Sequence, residues 1–526
     1  MLNFHRRLVP ALSPLRLVPA LSLLLLLTAC KKSTSNDPPP PDPASTASFT
    51  SFSFRSANNP SVIGTDIAGV ISDHEVNVVI PFLADVDSLI PSFTSDASKV
   101  MLNDVRQKSD SSLADFRHRL TYTLIAEDGT AIEYKVSVKK YTALPIIRIN
   151  TKNSAPITST ETYIEGTFNV TANGTDLPDY SGKTEVRGRG NSTWGMPKKP
   201  YRIKLDKKSE ILGMPTNKNW VLLANYSDKS LMRNMIAFRL GEWFGLSYTP
   251  RGQFVEVFLN NEYQGCYFLT EQIKPDPNRV NITEMDVTDE TPSTITGGYM
   301  LEVDQRLDAE HWWFTTQGVA LTIKEPEAIT TPQLNYITGY IQQMEDALYS
   351  TDFKDPANGY LKYINDDTFI QWYWVNELFR NQDADFFSSI FLYKDRDQKL
   401  SMGPVWDFDL GAGNIDYNNS WEPTGWYIRK SVWISRLFQD PAFRTKSKAK
   451  WIATKTKIAG LMTLIDETAK TLQYSQVENF KKWDILNIYV WPNRVVTGSY
   501  ANEVAYLKTW LQTRIAWIDA ELALEN

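Results

Sequence analysis

The spacing of apolar residues shifts along this chain from mainly strand-like to mainly helical, and that shift points to its fold class. Up to about residue 300 apolar and polar residues mostly alternate, the period of a strand with one buried face; after about residue 331 they follow helical spacing. The expected class is α+β. The 526 residues are 42% hydrophobic and 22% charged, which excludes a disordered, collagen-like or multispan membrane chain and suits two or three domains with cores of their own.

Residues 1–29 read as a removable leader. Arg6, Arg7 and Arg16 precede an apolar run at 21–27, too short to span a bilayer comfortably. Leu27-Thr28-Ala29-Cys30 resembles a bacterial lipobox, in which the cysteine is lipidated and becomes the mature first residue. Residues 30–45 are rich in proline and small polar residues and read as a tether. The expected location is therefore outside the cytoplasm, periplasmic or at the cell surface, on a lipid anchor at Cys30.

Charge and residue counts narrow the chemistry. Net charge is −6, and −9 without residues 1–29, so no basic excess points to nucleic acid. Four histidines, His5, His74, His118 and His311, are far apart in sequence and offer little for a Ser-His-Asp triad or a histidine-rich zinc site. With Cys30 lipidated, Cys266 is alone, and no intrachain disulfide or cysteine cluster is available. Cys266 lies in an apolar run and reads as a small core residue.

Residues 46–143 show period-two patterning at Phe49, Phe52 and Phe54 and at Val76, Val78 and Ile80. A hairpin is expected from residues 122–126 to 132–138 across Glu127-Asp-Gly129-Thr. Several short strands in about 100 residues suggest a small immunoglobulin-like sandwich. The main domain, 144–526, opens with strands and then a glycine-containing basic loop, Arg187-Gly-Arg-Gly-Asn-Ser-Thr-Trp194. In the strand that follows, Tyr201, Ile203 and Leu205 share one face, and Arg202 and Lys204 the other. Asp228 caps a helix running to Phe244, with Gly245 as its stop. Strands flank the turn Asn260-Asn261, and another covers 298–304. A helix at 368–380 delivers the polar segment Asn381-Gln-Asp-Ala-Asp385. Strands at 389–394 and 399–405 lead into Trp406-Asp-Phe-Asp-Leu410, where alternation places Asp407 and Asp409 on one side.

A glycine loop, a strand lysine, a helix and a hairpin, followed by a helix, an acidic loop, a hairpin and a second acidic loop, is the order of parts in a protein kinase. The residues resemble the CotH family, the spore-coat protein H kinases and their relatives. The matching stretches are 187–194, 199–204, Asn219-Trp-Val-Leu-Leu-Ala-Asn225, 228–234, 265–272 and Pro404-Val-Trp-Asp-Phe-Asp-Leu410. They lie within about 145–430. The resemblance implies an atypical, two-lobed kinase-like domain that binds ATP with magnesium and transfers phosphate to protein serines.

Residue by residue, the implied roles are these. Lys204 contacts phosphate, or is one more solvated lysine. Arg187, Arg189 and Asn191 cradle phosphate or shape the loop. Asp383 is the catalytic acid-base group, with Asp385 as competitor. Asp407 and Asp409 hold magnesium through hard oxygen ligands. Glu271 marks a hinge or pairs with a cation, and Arg233 faces the cleft or forms a structural ion pair. One departure stands out: where kinase-like sites carry an asparagine as second metal ligand, this chain has Ser388 and Ser389. ATP is also scarce outside the cytoplasmic membrane.

Two further readings compete. One is a surface protein for adhesion or scaffolding on a retired kinase fold, with aromatic faces for glycan or protein partners. The other is a glycosidase, which needs Asp407 and Asp409 to diverge across a cleft.

Overall fold

The computed structural model describes residues 43–525 except 64, 65, 82, 83 and 141. The leader, Cys30 and most of the tether lie outside the described residues. The elements below belong to the compact unit that begins at Ser45. Among the described residues, no helix is long and apolar enough to cross a membrane.

The first part has two sheets. One orders Ile67–Ala68, Phe49–Phe54 and Pro91–Ser95; the other orders Val70–Ser72, Glu75–Ile80, Ala131–Lys140, Leu120–Ile125, Lys99–Leu102 and Val105–Arg106. Their alternating apolar residues, among them Phe49, Phe52, Val76, Val78, Tyr122 and Val136, fill one shared core. The expected hairpin is present, with Leu124 opposite Ile132 and Gly129 at φ 92° in its turn, a conformation that costs glycine nothing. One pair, Glu75–Ile80 with Ala131–Lys140, runs parallel, a departure from a purely antiparallel sandwich. Asn173 fastens this part to the next: its side chain accepts from the Lys140 backbone N–H (2.8 Å) and donates to the Leu144 carbonyl (2.6 Å).

Seven strands then close into a barrel in the order Ile146–Thr151, Ile164–Thr171, Tyr180–Gly188, Tyr201–Ile211, Met214–Leu223, Glu262–Glu271 and Gly252–Leu259. Closure is made by Gly252–Leu259 pairing parallel with Ile146–Thr151. The inward row includes Ile147, Phe168, Val186, Ile203, Trp220 and Tyr267, all essentially inaccessible. Since side chains alternate across a strand, Arg187, Arg202 and Lys204 are left on the outer surface. Asn260 and Asn261, both at positive φ, make the tight turn expected of that pair.

The remaining chain forms a five-stranded sheet, ordered Trp312–Phe314, Ala320–Glu325, Tyr299–Val303, Ile390–Lys394 and Ser401–Met402. Helices pack around it. Arg233–Phe244, Asp366–Phe379 and Pro441–Ala459 meet through Phe244, Trp374 and Trp451, whose ring centroids are 6.1 Å (Phe244–Trp451) and 4.7 Å (Trp374–Trp451) apart. Most large aromatic residues are thus core. The strand expected over 399–405 shrinks to Ser401–Met402. Gly403 at φ 123° and Pro404, which has no N–H to donate, end the ladder there.

Candidate active site

A cavity of about 1020 Å³ lies against the outer face of the barrel. Arg187, Arg189, Asn191, Arg202 and Lys204 line it from the barrel and its basic loop. Glu302, Asp304, Arg306 and Lys324 line it from the five-stranded sheet and its flanks, and Asp383, Ser389, Asp407 and Asp409 from the two acidic loops. Val221, Ile273, Met300 and Phe391 give it an apolar wall.

The acidic side is built by two loops that fasten each other. The helix Asp366–Phe379 ends as Arg380 turns to φ 46°, and the loop that follows carries Asp383 to the cavity wall. Asn381 donates to the backbone carbonyl of Asp407 (3.1 Å). Ser389 donates through its hydroxyl to the Asp407 carboxylate (3.0 Å). Asp407 itself sits at φ 65°, so the strand alternation expected for Asp407 and Asp409 does not operate. Both still line the cavity.

These carboxylates are poorly compensated. Asp383, Asp407 and Asp409 enter no salt bridge among the described residues. Burial, then the charge of Asp407, pushes Asp383 up to about 7, against the pull of Arg306. Burial, then Asp407 and Asp383, holds Asp409 well above the usual carboxylate range. Uncompensated carboxylates drawn together in a low-dielectric site favour a proton or a cation.

The sign of the Asp383 shift makes two statements. Between its ordinary value of 3.8 and about 7, the folded chain holds a proton that the unfolded chain has lost. Its contribution to stability therefore declines as pH rises through that window. The base form appears as pH passes about 7, so a reaction using Asp383 as base accelerates through that value. A rate profile that is flat across this range contradicts the role of Asp383.

On the cationic side, Arg189 lies over the Trp406 ring (5.3 Å to its centroid). Burial lowers its pKa, and Asp407 acts to raise it, so Arg189 faces the acids. Arg202 is pulled down chiefly by burial. Lys204, in contrast, is exposed and paired with Glu185 at 2.8 Å. It lies at the cavity but is already neutralised. Asn191, with its amide oxygen turned to Arg306, accepts from Nε at 3.1 Å.

Three expected site residues fall outside the lining. Arg233 is fully buried in an ion pair with Asp228 (2.5 Å) and also donates to the Gly411 carbonyl (3.1 Å). Asp228 does cap the helix, but by reaching past its start to accept from the Arg233 backbone N–H (2.8 Å). Glu271 is buried and takes Arg251 through both oxygens (2.9 Å each); its neighbour Gln272 lines the cavity instead. Asp385 accepts from Ser431 (2.5 Å). Arg233 matters to the site at one remove, because its neighbour Asn234 accepts from the Phe408 backbone N–H (2.8 Å). The segment 228–234 thereby clamps the loop that carries Asp407 and Asp409.

Sequence reasoning missed Arg202 as a cavity residue, though its alternation with Ile203 signalled the outward face. It also missed Glu302, Asp304, Arg306 and Lys324, which only the pairing of distant strands brings here. Among the described residues, no group of three or more His, Cys, Asp or Glu side chains converges as a metal cage. Two carboxylates lining one cavity instead fit magnesium, which commonly binds one or two carboxylates and completes its shell with water and substrate phosphate.

The model of the family described as CotH kinase protein matches residues 186–518. No curated protein matches the chain. A solved structure from Bacteroides thetaiotaomicron, described as a candidate glycoside hydrolase, shares 18% identity over 34% of this chain and 52% of that one, with a TM-score of 0.16. This chain thus spans about half of that structure, a likeness too low to bear on fold or activity.

Proposed function

The chain belongs to the CotH kinase family, and from that premise we propose that it moves the terminal phosphate of ATP to serine hydroxyls of a protein acceptor, with magnesium. The observation that carries the proposal is the meeting in one cavity of two sets of charged groups that form no salt bridges among the described residues: Asp383, Asp407 and Asp409 on one side, Arg187, Arg189 and Arg202 on the other. Each set alone is costly; a phosphate chain with a divalent cation between them satisfies both.

In this reading Asp407 and Asp409 hold the cation. When bound, the ion supplies positive charge against the phosphate oxygens. Arg189 adds the fixed charge that phosphoryl transfer needs where negative charge develops. Its place on the face of Trp406 limits its motion and excludes water from one side. Asp383, in its base form, takes the proton of the acceptor hydroxyl. Ser389 positions Asp407 rather than serving as the missing asparagine ligand. The apolar wall of Val221, Ile273, Met300 and Phe391 suits a nucleobase.

Export and anchoring through Cys30 remain part of the proposal. We also assign the N-terminal module the role of spacing and presenting the domain that follows.

ATP with magnesium raises the melting temperature of the purified protein under this reading. At about 100 times its dissociation constant a ligand adds roughly 2.7 kcal/mol. No shift at millimolar ATP and magnesium counts against it.

A second reading has an observation of its own. Tyr417 and Trp491 stack at 6.1 Å with their planes 9° apart, and both stay more than a third exposed, as does Tyr489. Such a patch suits a glycan or protein partner in adhesion or scaffolding. Saturable glycan binding without any nucleotide response favours it over catalysis.

A further inference from the structure

Arg187 and Arg202 are direct partners across neighbouring barrel strands. Like charges placed opposite each other in a sheet repel. The Nε atom of each is buried without a hydrogen-bond partner, and neither residue enters a salt bridge among the described residues. Both line the cavity. The Tyr163 ring lies under Arg187 at 5.0 Å and under Lys204 at 5.6 Å, fixing one face of this patch. Two buried Nε donors left without acceptors carry a desolvation cost that the Tyr163 face under Arg187 offsets only in part.

The pair is not a second copy of the Arg189 site. Arg189 feels Asp407, Asp409 and Glu302, and also Arg202 on its other side. Arg202 feels Tyr163, Arg187, Glu327 and Glu325 instead, with Glu325 itself engaged by Lys274 at 3.5 Å. The arginines therefore form a track: Arg189 next to the acids, and the Arg187–Arg202 pair away from them.

Resting on the phosphotransferase reading, we propose that the track recognises a phosphate chain as such, so that the cavity accepts inorganic polyphosphate as well as a nucleoside triphosphate. The Arg187–Arg202 pair is the subsite for the phosphate groups farthest from Asp407 and Asp409. In transfer, the acceptor hydroxyl oxygen bonds to the terminal phosphorus and its proton passes to Asp383. The bridging P–O bond to the rest of the chain breaks, and the chain leaves one phosphate shorter. This donor needs no nucleobase contact, so it also suits a place where nucleotide is scarce.

The test uses magnesium tripolyphosphate, ATP and AMP with the whole protein. Tripolyphosphate is expected to raise the melting temperature and to displace ATP competitively, while AMP does neither at equal concentration. Arg187→Gln with Arg202→Gln weakens tripolyphosphate by about a hundredfold or more, since two charge-assisted hydrogen bonds to it are lost. The ligand-free melting temperature of that variant reports whether it folds. The competition on the unaltered protein needs no variant. ATP that binds and transfers while tripolyphosphate neither stabilises nor competes overturns this inference and leaves the kinase reading intact. Failure of both ligands overturns the two together.

Discussion

Asp383→Asn lowers the rate of phosphate transfer by on the order of 10²–10⁴-fold and changes ATP binding little. Asparagine keeps the shape of the side chain and removes its ability to accept a proton. Asp383 lines the cavity and is pushed up to about 7 by burial and Asp407, which matches its basicity to a neutral medium. The accelerating limb near pH 7 disappears in the variant. Steady-state rates with a fixed protein acceptor measure both effects. A variant with full activity and an unchanged pH profile removes Asp383 from the mechanism and moves attention to a different base. Asp385 is a poor replacement, since Ser431 already holds it away from the lining.

Arg233→Met destabilises the fold by about 3–5 kcal/mol, the usual consequence of leaving one member of a buried ion pair alone. Neither Arg233 nor Asp228 exposes any side-chain surface. Removing the guanidinium also strips a donor from the Gly411 carbonyl, so the loop bearing Asp409 loosens. Adding Asp228→Asn to Arg233→Met recovers part of the loss, because the stranded charge goes with it. Denaturant unfolding of the three variants measures this. An Arg233→Met protein as stable as the parent shows that the pair is not what holds this corner.

The local patterns were legible where short-range chemistry decides. Alternation through Tyr201, Ile203 and Leu205 identified the buried face of that strand. Asn260-Asn261 identified its turn, and Asp228 its helix cap. Barrel closure was not legible, because the parallel contact of Ile146–Thr151 with Gly252–Leu259 joins segments about 100 residues apart and leaves no periodic trace in either. The same distance effect hid Glu302 and Arg306. For Arg233 the motif left a place in the cleft or a structural ion pair open, and for Glu271 a hinge or a pairing with a cation. Packing decides for the ion pair in both, with Asp228 and with Arg251. Lys204 was singled out by analogy with a strand lysine; it does line the cavity, and its pairing with Glu185 is a cross-strand contact that the sequence does not signal.

The most direct measurement is transfer of labelled terminal phosphate from ATP to protein by the purified chain and by its Asp407→Ala, Asp409→Ala double variant, with and without magnesium. Label incorporated by the parent only when magnesium is present, and none by the double variant, is the result expected here. Equal incorporation by both proteins, or incorporation indifferent to magnesium, contradicts the assignment of these two acids to a cation that faces the arginines across the cavity.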